Sequence, residues 1–393
     1  MAVIAGISHN VVVGCLMGSF SVMLASVEDR MSVTREMSTV GGPIVIFGSA
    51  LIASLVGPLM GRYSLRLLMC IGACLSLAGY LILAFTASYP LYLASYALLF
   101  GPSMAIAGSV GPATLVTRWF NRNRGLALGL VHLSIVITVI PVLCNWMLEQ
   151  HGARTTYLML AAIVGVCLVP VTLMIRDRPP LSLQPLAAGE HEGDEDQGES
   201  VTVGQIVKQP VFWALSVVAA VIITSIMVLT FNMVPLAESL GIDRARGALL
   251  ASVMAFSGMA GSVLFGWIAD KIGGAKGLAL LAFNSAVLLG VLLLDLPYAM
   301  LAVVIGLLGL HGAGMIPNLS RALAHSLGRE GFSRAFGMST ALSVPFTVIG
   351  IMAMATAFTR TGSYVPALLG VAVCLLLAVP IALWTQRQTV SLA

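Results

Sequence analysis

The sequence predicts an all-α membrane protein of twelve transmembrane helices, arranged as two pseudo-symmetric six-helix bundles. Three observations predict it. The 393 residues are 59% hydrophobic and only 9% charged, with a mean hydropathy of +1.00, whereas a soluble domain carries about a quarter of its residues charged. The apolar residues fall in runs of roughly 20, the length that a bilayer core requires. Two related charged turns, Gly57-Pro58-Leu59-Met60-Gly61-Arg62-Tyr63-Ser64 and Gly266-Trp267-Ile268-Ala269-Asp270-Lys271-Ile272-Gly273-Gly274, recur one half-chain apart. Backbone groups in lipid must bond to one another, so a span is a helix or a barrel strand. The runs are long and lack period-two alternation, so they are helices.

The first six runs are Ala2–Ser26, Thr39–Met60, Leu67–Ala87, Leu91–Thr117, Gly125–Leu148 and Thr155–Ile175. The second six are Pro210–Met233, Gly247–Ala269, Gly277–Leu294, Tyr298–Ser320, Ala335–Thr359 and Ser363–Thr385. The first run begins at Met1 without a basic leader or a small-residue cleavage signal, and is read as a retained helix. Between the sets, Arg176 to Gln209 holds Pro179, Pro180 and Pro185 and the acidic cluster Glu190, Glu192, Asp194, Glu195, Asp196 and Glu199. Such a segment cannot bury enough apolar surface to order itself. The expected organisation is therefore an N-terminal bundle over 1–175, an acidic linker over 176–209 and a C-terminal bundle over 210–393.

Counting cations sets the expected topology. Twelve spans put both termini on one side, and that side collects 14 of the 20 Lys and Arg residues, among them Arg62, Arg118, Arg124, Lys271 and Arg321. The other side holds Arg30, Arg35, Arg154, Arg244, Arg246 and Arg360. The excess of cations marks the cytoplasmic face, so both termini are expected there, in a multi-pass protein of the cytoplasmic membrane. The net charge of +4 resides in loops and implies no nucleic-acid partner. The six cysteines lie in apolar runs without metal-like spacing and read as packing residues. No cofactor or metal is expected, and no H-E-x-x-H, G-x-S-x-G or buried acid pair marks an enzyme.

Several residues repeat at nearly constant offset. Gly57 and Gly266, like Arg62 and Lys271, are 209 apart; Arg124-Gly125 and Arg334-Ala335 are 210 apart; Tyr157 and Tyr364 are 207 apart. Repeated halves of this kind are found in secondary transporters.

The turn Gly266 to Gly274 resembles the G-x-x-x-D-R/K-x-G loop of the major facilitator superfamily, which joins the second and third helices of each half. The first-half copy departs from it, with Gly61 where the Asp belongs and Ser64 where a Gly is usual. The connection Arg118-Trp119-Phe120-Asn121-Arg122-Asn123-Arg124-Gly125-Leu126-Ala127-Leu128-Gly129 is similar to the R-W-F-x-x-x-R-G-x-A-x-G segment of monocarboxylate-porter-like and oxalate/formate-antiporter-like members. The resemblance implies a cytoplasmic gate built from Asp270, Lys271, Arg321, Arg124 and Arg62, with Asp270 pairing Arg321 or Arg124 across the interface between the halves. It also implies that spans 1, 4, 7 and 10 line a central cavity.

On those spans the sequence is quiet. No Lys, Arg, Asp or Glu lies in the middle of a span, and three histidines remain inside: His9, His132 and His311. His311 sits in Gly309-Leu310-His311-Gly312-Ala313-Gly314, where small neighbours would leave room for a ligand. It can hydrogen-bond a solute or carry a proton near neutral pH; the plainer reading is a neutral ring bonded to a neighbouring helix. Asn10 and Asn318 are amides on cavity-type spans. Ser103, Ser339 and Ser343 add hydroxyls, each of which can be satisfied by its own helix backbone, and Tyr96 an aromatic wall. Pro102, Pro112, Pro141, Pro317 and Pro345 give bend points and uncover backbone polar groups.

The expected substrate-binding set is thus His311, Asn10, Asn318, His132, Ser103, Tyr96, Ser339 and Ser343. The expected function is transport of a small organic solute, a monocarboxylate or aromatic organic acid, by alternating access. A co-transported proton is a candidate partner and the chain is expected to act as a monomer. Export of amphipathic compounds on the same fold is the competing reading. Family carriers of carboxylates generally hold a buried cation on span 8 or 11, and span 8 here has none.

Overall fold

The computed structural model describes residues 1–119, 131, 135–177 and 203–390, with backbone only at 54, 57, 58, 61, 328–334 and 387–390. It is helical, with no strand among the described residues. The elements are α1 (Ala2–Met31), a short α2 (Arg35–Thr39), α3 (Gly41–Arg62), α4 (Leu65–Phe85), α5 (Tyr89–Trp119) and α6 (Ile135–Leu173). There follow a short α7 (Val203–Val207), α8 (Pro210–Ser239), α9 (Arg244–Ile272), α10 (Gly274–Leu292), α11 (Tyr298–Ala313), α12 (Met315–Thr361) and α13 (Val365–Val390).

Among the described residues, eleven stretches are long and apolar enough to cross a membrane. One of them, α6, has 39 residues, about 58 Å at 1.5 Å per residue and twice the depth of a bilayer core. Gly152 breaks it, at φ 76° and ψ 174°, a left-handed conformation open to glycine at little cost. The stretch is therefore two spans folded back at Gly152, and the described residues form twelve. Most of the interval expected as an acidic linker, 178–202, lies outside the described residues.

The chain forms two compact units. In the first, Met1–Val33 with Val40–Gly198, α1 runs along α5 and α6 and is buried over most of its length. Where α3 turns into α4, Ser64 caps the new helix by accepting from the Leu67 N–H, and Asp177 accepts from the Arg66 N–H, each supplying a partner to an orphan donor. The far end of α4 is closed by Arg30, whose guanidinium donates to the carbonyls of Leu83, Ala84 and Thr86. Arg30→Met should therefore destabilise the protein by roughly 2 kcal/mol, the order of one or two charge-assisted bonds; an unchanged unfolding midpoint in detergent would remove Arg30 from this role.

The second unit comprises Glu199–Ala393 together with Thr34–Thr39. Here α8 packs on α12 and α13, α9 on α11, and α10 on α13 and α12. The added segment is α2, which the chain delivers from between α1 and α3. The Arg35 guanidinium lies 5.6 Å from the Phe358 ring centroid and donates to the Tyr364 hydroxyl at 3.3 Å, while Thr356 donates to Glu36 at 2.9 Å.

Candidate functional site

In the second unit two of the expected site residues, His311 and Asn318, meet Phe265 of α9. The His311 ring lies 5.1 Å from the Phe265 ring, and Asn318 Nδ2 donates to the Phe265 carbonyl at 3.2 Å and to the Gly314 carbonyl at 2.8 Å. His311 Nδ1 is 2.6 Å from the Leu307 carbonyl one turn back. That nitrogen must carry a proton to bond there, so in the neutral ring Nε2 presents its lone pair.

The glycines flanking His311 do not leave open space. A Cβ on Gly309 would overlap the Met254 carbonyl, and one on Gly312 would overlap the Ile226 side chain. Across the same crossing, a Cβ on Gly261 would overlap the Leu310 carbonyl. The expectation of room for a ligand is corrected: these residues bring the α11 backbone against α9 and α8, as small residues do between helices in lipid.

The two serines of α12 differ. Ser343 Oγ donates to the Thr340 carbonyl at 2.7 Å. Ser339 is buried and its hydroxyl has no partner among the described residues, against the expectation that its own backbone satisfies it. Nearby, Thr224 of α8 and Thr347 of α12 place their hydroxyls 3.4 Å apart.

In the first unit Asn10 is tied between helices: Nδ2 donates to the Gly6 carbonyl at 2.9 Å, and Oδ1 accepts from the Val136 N–H at 3.2 Å. Tyr96 stands in an aromatic cluster, with ring centroids 4.7 Å from Tyr92, 5.2 Å from Phe100 and 5.8 Å from Phe20. Ser103 is fully buried with no partner for its hydroxyl among the described residues. It lies between two π-helical turns of α5, Tyr96–Phe100 and Met104–Val110. His9 is turned to the backbone of α5, with Nδ1 2.6 Å from the Gly108 carbonyl. His132 and Arg124 lie outside the described residues.

The gate residues behave differently from the expected cross-interface pair. Asp270 accepts from Arg321 Nη1 at 2.5 Å, and both belong to the second unit. The turn after α9 explains the pairing: Cβ atoms on Gly274 and Gly277 would overlap the Asn318 carbonyl and side chain, so α10 starts tight against α12, one turn before Arg321. Gly273, at φ 89°, makes that turn possible. Lys271 Nζ sits 3.8 Å from the Trp267 ring centroid, a cation–π contact. Arg62 is exposed at the end of α3.

The first unit contains an arrangement that motif reading missed. Arg118, at the end of α5, donates to the Met60 carbonyl at the end of α3, and Trp119 donates to the Arg176 carbonyl at 2.9 Å. Arg118 thus reaches the end of the span two before its own as Arg321 does, but finds a main-chain oxygen where the second unit offers the Asp270 carboxylate. The sequence signal was the Gly61 substitution, which leaves the arginine no acid to meet.

Twelve spans in two units, with no Lys, Arg, Asp or Glu in mid-span and charged turns at their ends, fit one class: a polytopic carrier of small solutes. The chain belongs to the Major Facilitator Superfamily, whose family model matches residues 10–337. It is 22% identical over 353 residues, 85% of this chain and 75% of the relative, to the uncharacterised MFS-type transporter YcxA of Bacillus subtilis. It is 26% identical over 305 residues to monocarboxylate transporter 13 of Bos taurus, covering 76% of this chain and 67% of that one. It is 25% identical over 237 residues to the oxalate:formate antiporter of Oxalobacter formigenes, covering 59% and 54%. A solved bacterial homologue of the human lysosomal transporter Spinster shares the fold, with a TM-score of 0.73 at 14% identity over 99% of this chain and 96% of that one.

Proposed function

We propose that this transporter carries a small monocarboxylate or aromatic organic acid together with a proton, and that His311 is the group that meets both. The observation that carries the reading is the Nδ1 contact to the Leu307 carbonyl. With Nδ1 committed as a donor, Nε2 accepts a hydrogen bond when the ring is neutral and donates one when it is protonated. A carboxylate needs a donor, so binding it at Nε2 takes up a proton, and no fixed cation is required in mid-span. The similarity to a monocarboxylate transporter and to an oxalate:formate antiporter supports the substrate class.

Asn10, Asn318, His132, Tyr96, Ser103, Ser339 and Ser343 complete the proposed binding set. Asp270, Lys271, Arg321, Arg124 and Arg62 form the proposed gate, on the cytoplasmic side of the cytoplasmic membrane where both termini lie. The two bundles rock about the site, and one chain suffices. Anion held on a proton-loaded histidine implies uptake that rises as the medium is acidified.

The test is a thermal-shift screen of the purified protein against short monocarboxylates, aromatic acids and their neutral amides. An acid that stabilises the wild type but not His311→Ala, and drives pH-gradient-dependent uptake into proteoliposomes, is the expected result. Stabilisation that survives His311→Ala removes His311 from the site, and outward movement of neutral amphipathic compounds alone would instead identify an exporter.

A further inference from the structure

Pro112 lies at the start of the last segment of α5, Gly111–Trp119, and has no N–H. In α-helical spacing that N–H would bond the Gly108 carbonyl, four residues back; in π spacing it would bond Ala107, five back. The turn before it, Met104–Val110, is π-helical, and the Gly111 N–H follows π spacing to the Ile106 carbonyl. The missing N–H therefore leaves one of these two neighbouring carbonyls without its helical partner inside the span, where an unsatisfied backbone group is costly.

Those two carbonyls are the ones that α1 serves. The Ser8 hydroxyl donates to the Ala107 carbonyl at 2.6 Å, and His9 Nδ1 lies 2.6 Å from the Gly108 carbonyl. Ser8 is 0% and His9 8% exposed. Consecutive side chains on one helix thus replace the one N–H missing from another. The helices come close enough for this because position 108 is glycine: a Cβ there would stand 3.1 Å and 3.2 Å from side-chain atoms of Val12 and Val13.

We infer that Ser8 and His9 are positioning residues of a proline-made hinge in the fourth span. Side-chain donors replace the rigid main-chain ladder at Gly108, so the Gly111–Trp119 segment can pivot against the part of α5 that carries Tyr96 and Ser103. The carbonyls stay satisfied through α1, which makes α1 and α5 a coupled pair. Here the histidine's donor nitrogen faces backbone, so this role is independent of the substrate reading above.

The decisive variants exploit the missing N–H. Ser8→Ala and His9→Ala are each expected to lower the thermal midpoint in detergent. Each should also speed amide hydrogen exchange over 109–114 about tenfold, the factor given by one lost buried hydrogen bond. His9→Asn, whose Nδ2 donates from the place of Nδ1, should keep wild-type exchange. Pro112→Ala restores an N–H to the helix, so in the His9→Ala background it should bring both readouts back to wild type. A general packing role for His9 would leave the double variant as impaired as His9→Ala. That outcome, or wild-type exchange in His9→Ala itself, overturns the inference.

Discussion

Gly309→Val is expected to prevent the second unit from folding, with no monodisperse protein recovered from detergent. The reason is where the new atoms would fall. A Cβ on Gly309 overlaps the Met254 carbonyl, and at the same crossing one on Gly261 overlaps the Leu310 carbonyl. Both obstacles are main chain, so no rotamer change relieves them and α9 and α11 must separate. Overpacking a well-packed core costs about 1–3 kcal/mol, and backbone overlap belongs at or above the upper end. Separation also breaks the seating of His311 on Phe265. The control is Gly370→Val, on α13, where an added Cβ meets nothing within 4 Å; it should fold normally. Equal yields and midpoints for the two variants would show that the α9–α11 crossing tolerates separation.

Asp270→Asn is expected to do the reverse: normal folding and slower transport. The Asp270 and Arg321 side chains are 67% and 50% exposed, and ion pairs so open to solvent contribute within about 1 kcal/mol of stability. The midpoint should barely move. The pair nevertheless holds the end of α9 to α12 beside the tight Gly274 turn, the part of the unit that must move as one piece if the bundles rock. Loosening a contact worth up to about 1 kcal/mol in one conformation slows the cycle by up to about 5-fold. The measurement is uptake of whichever acid the thermal-shift screen identifies, with membrane insertion checked in parallel. An unaltered rate would show that the Asp270–Arg321 pair plays no part in the cycle. Arg118→Gln supplies the counterpart, because its acceptor is the Met60 carbonyl and no carboxylate is involved.

The candidate site was legible in part. The motif turn pointed to Asp270, and the search for mid-span titratable groups pointed to His311. Motif reading named Arg321 or Arg124 as the partner of Asp270 across the halves; the structure pairs it with Arg321, but within one unit, because the Gly273-Gly274 turn and the Gly277–Asn318 contact set α10 and α12 side by side. The glycines around His311 were visible but their use was not: a Gly in a sequence opens space or admits a backbone, and only the neighbour decides. Pro112 likewise announced stripped carbonyls without saying that Ser8 and His9 would meet them. The short α2 gave no sign that it belongs with α12.

Taken alone, the sequence determined the class, the number of spans, the repeat and the charged turns. These are properties of segments against their solvent: length against bilayer thickness, polarity against lipid, cations against one face. Tertiary structure alone decided which side of each helix meets which neighbour, and hence the interhelical contacts of Asn318, Asp270, Asn10 and the Pro112 hinge. The physical reason is that a helix apolar all round carries no polar face to orient it. Its rotation is set by close packing and a few hydrogen bonds to other helices, and those partners lie about 50 to 130 residues away in the chain, as Asn318 does from Phe265 and Asn10 from Val136.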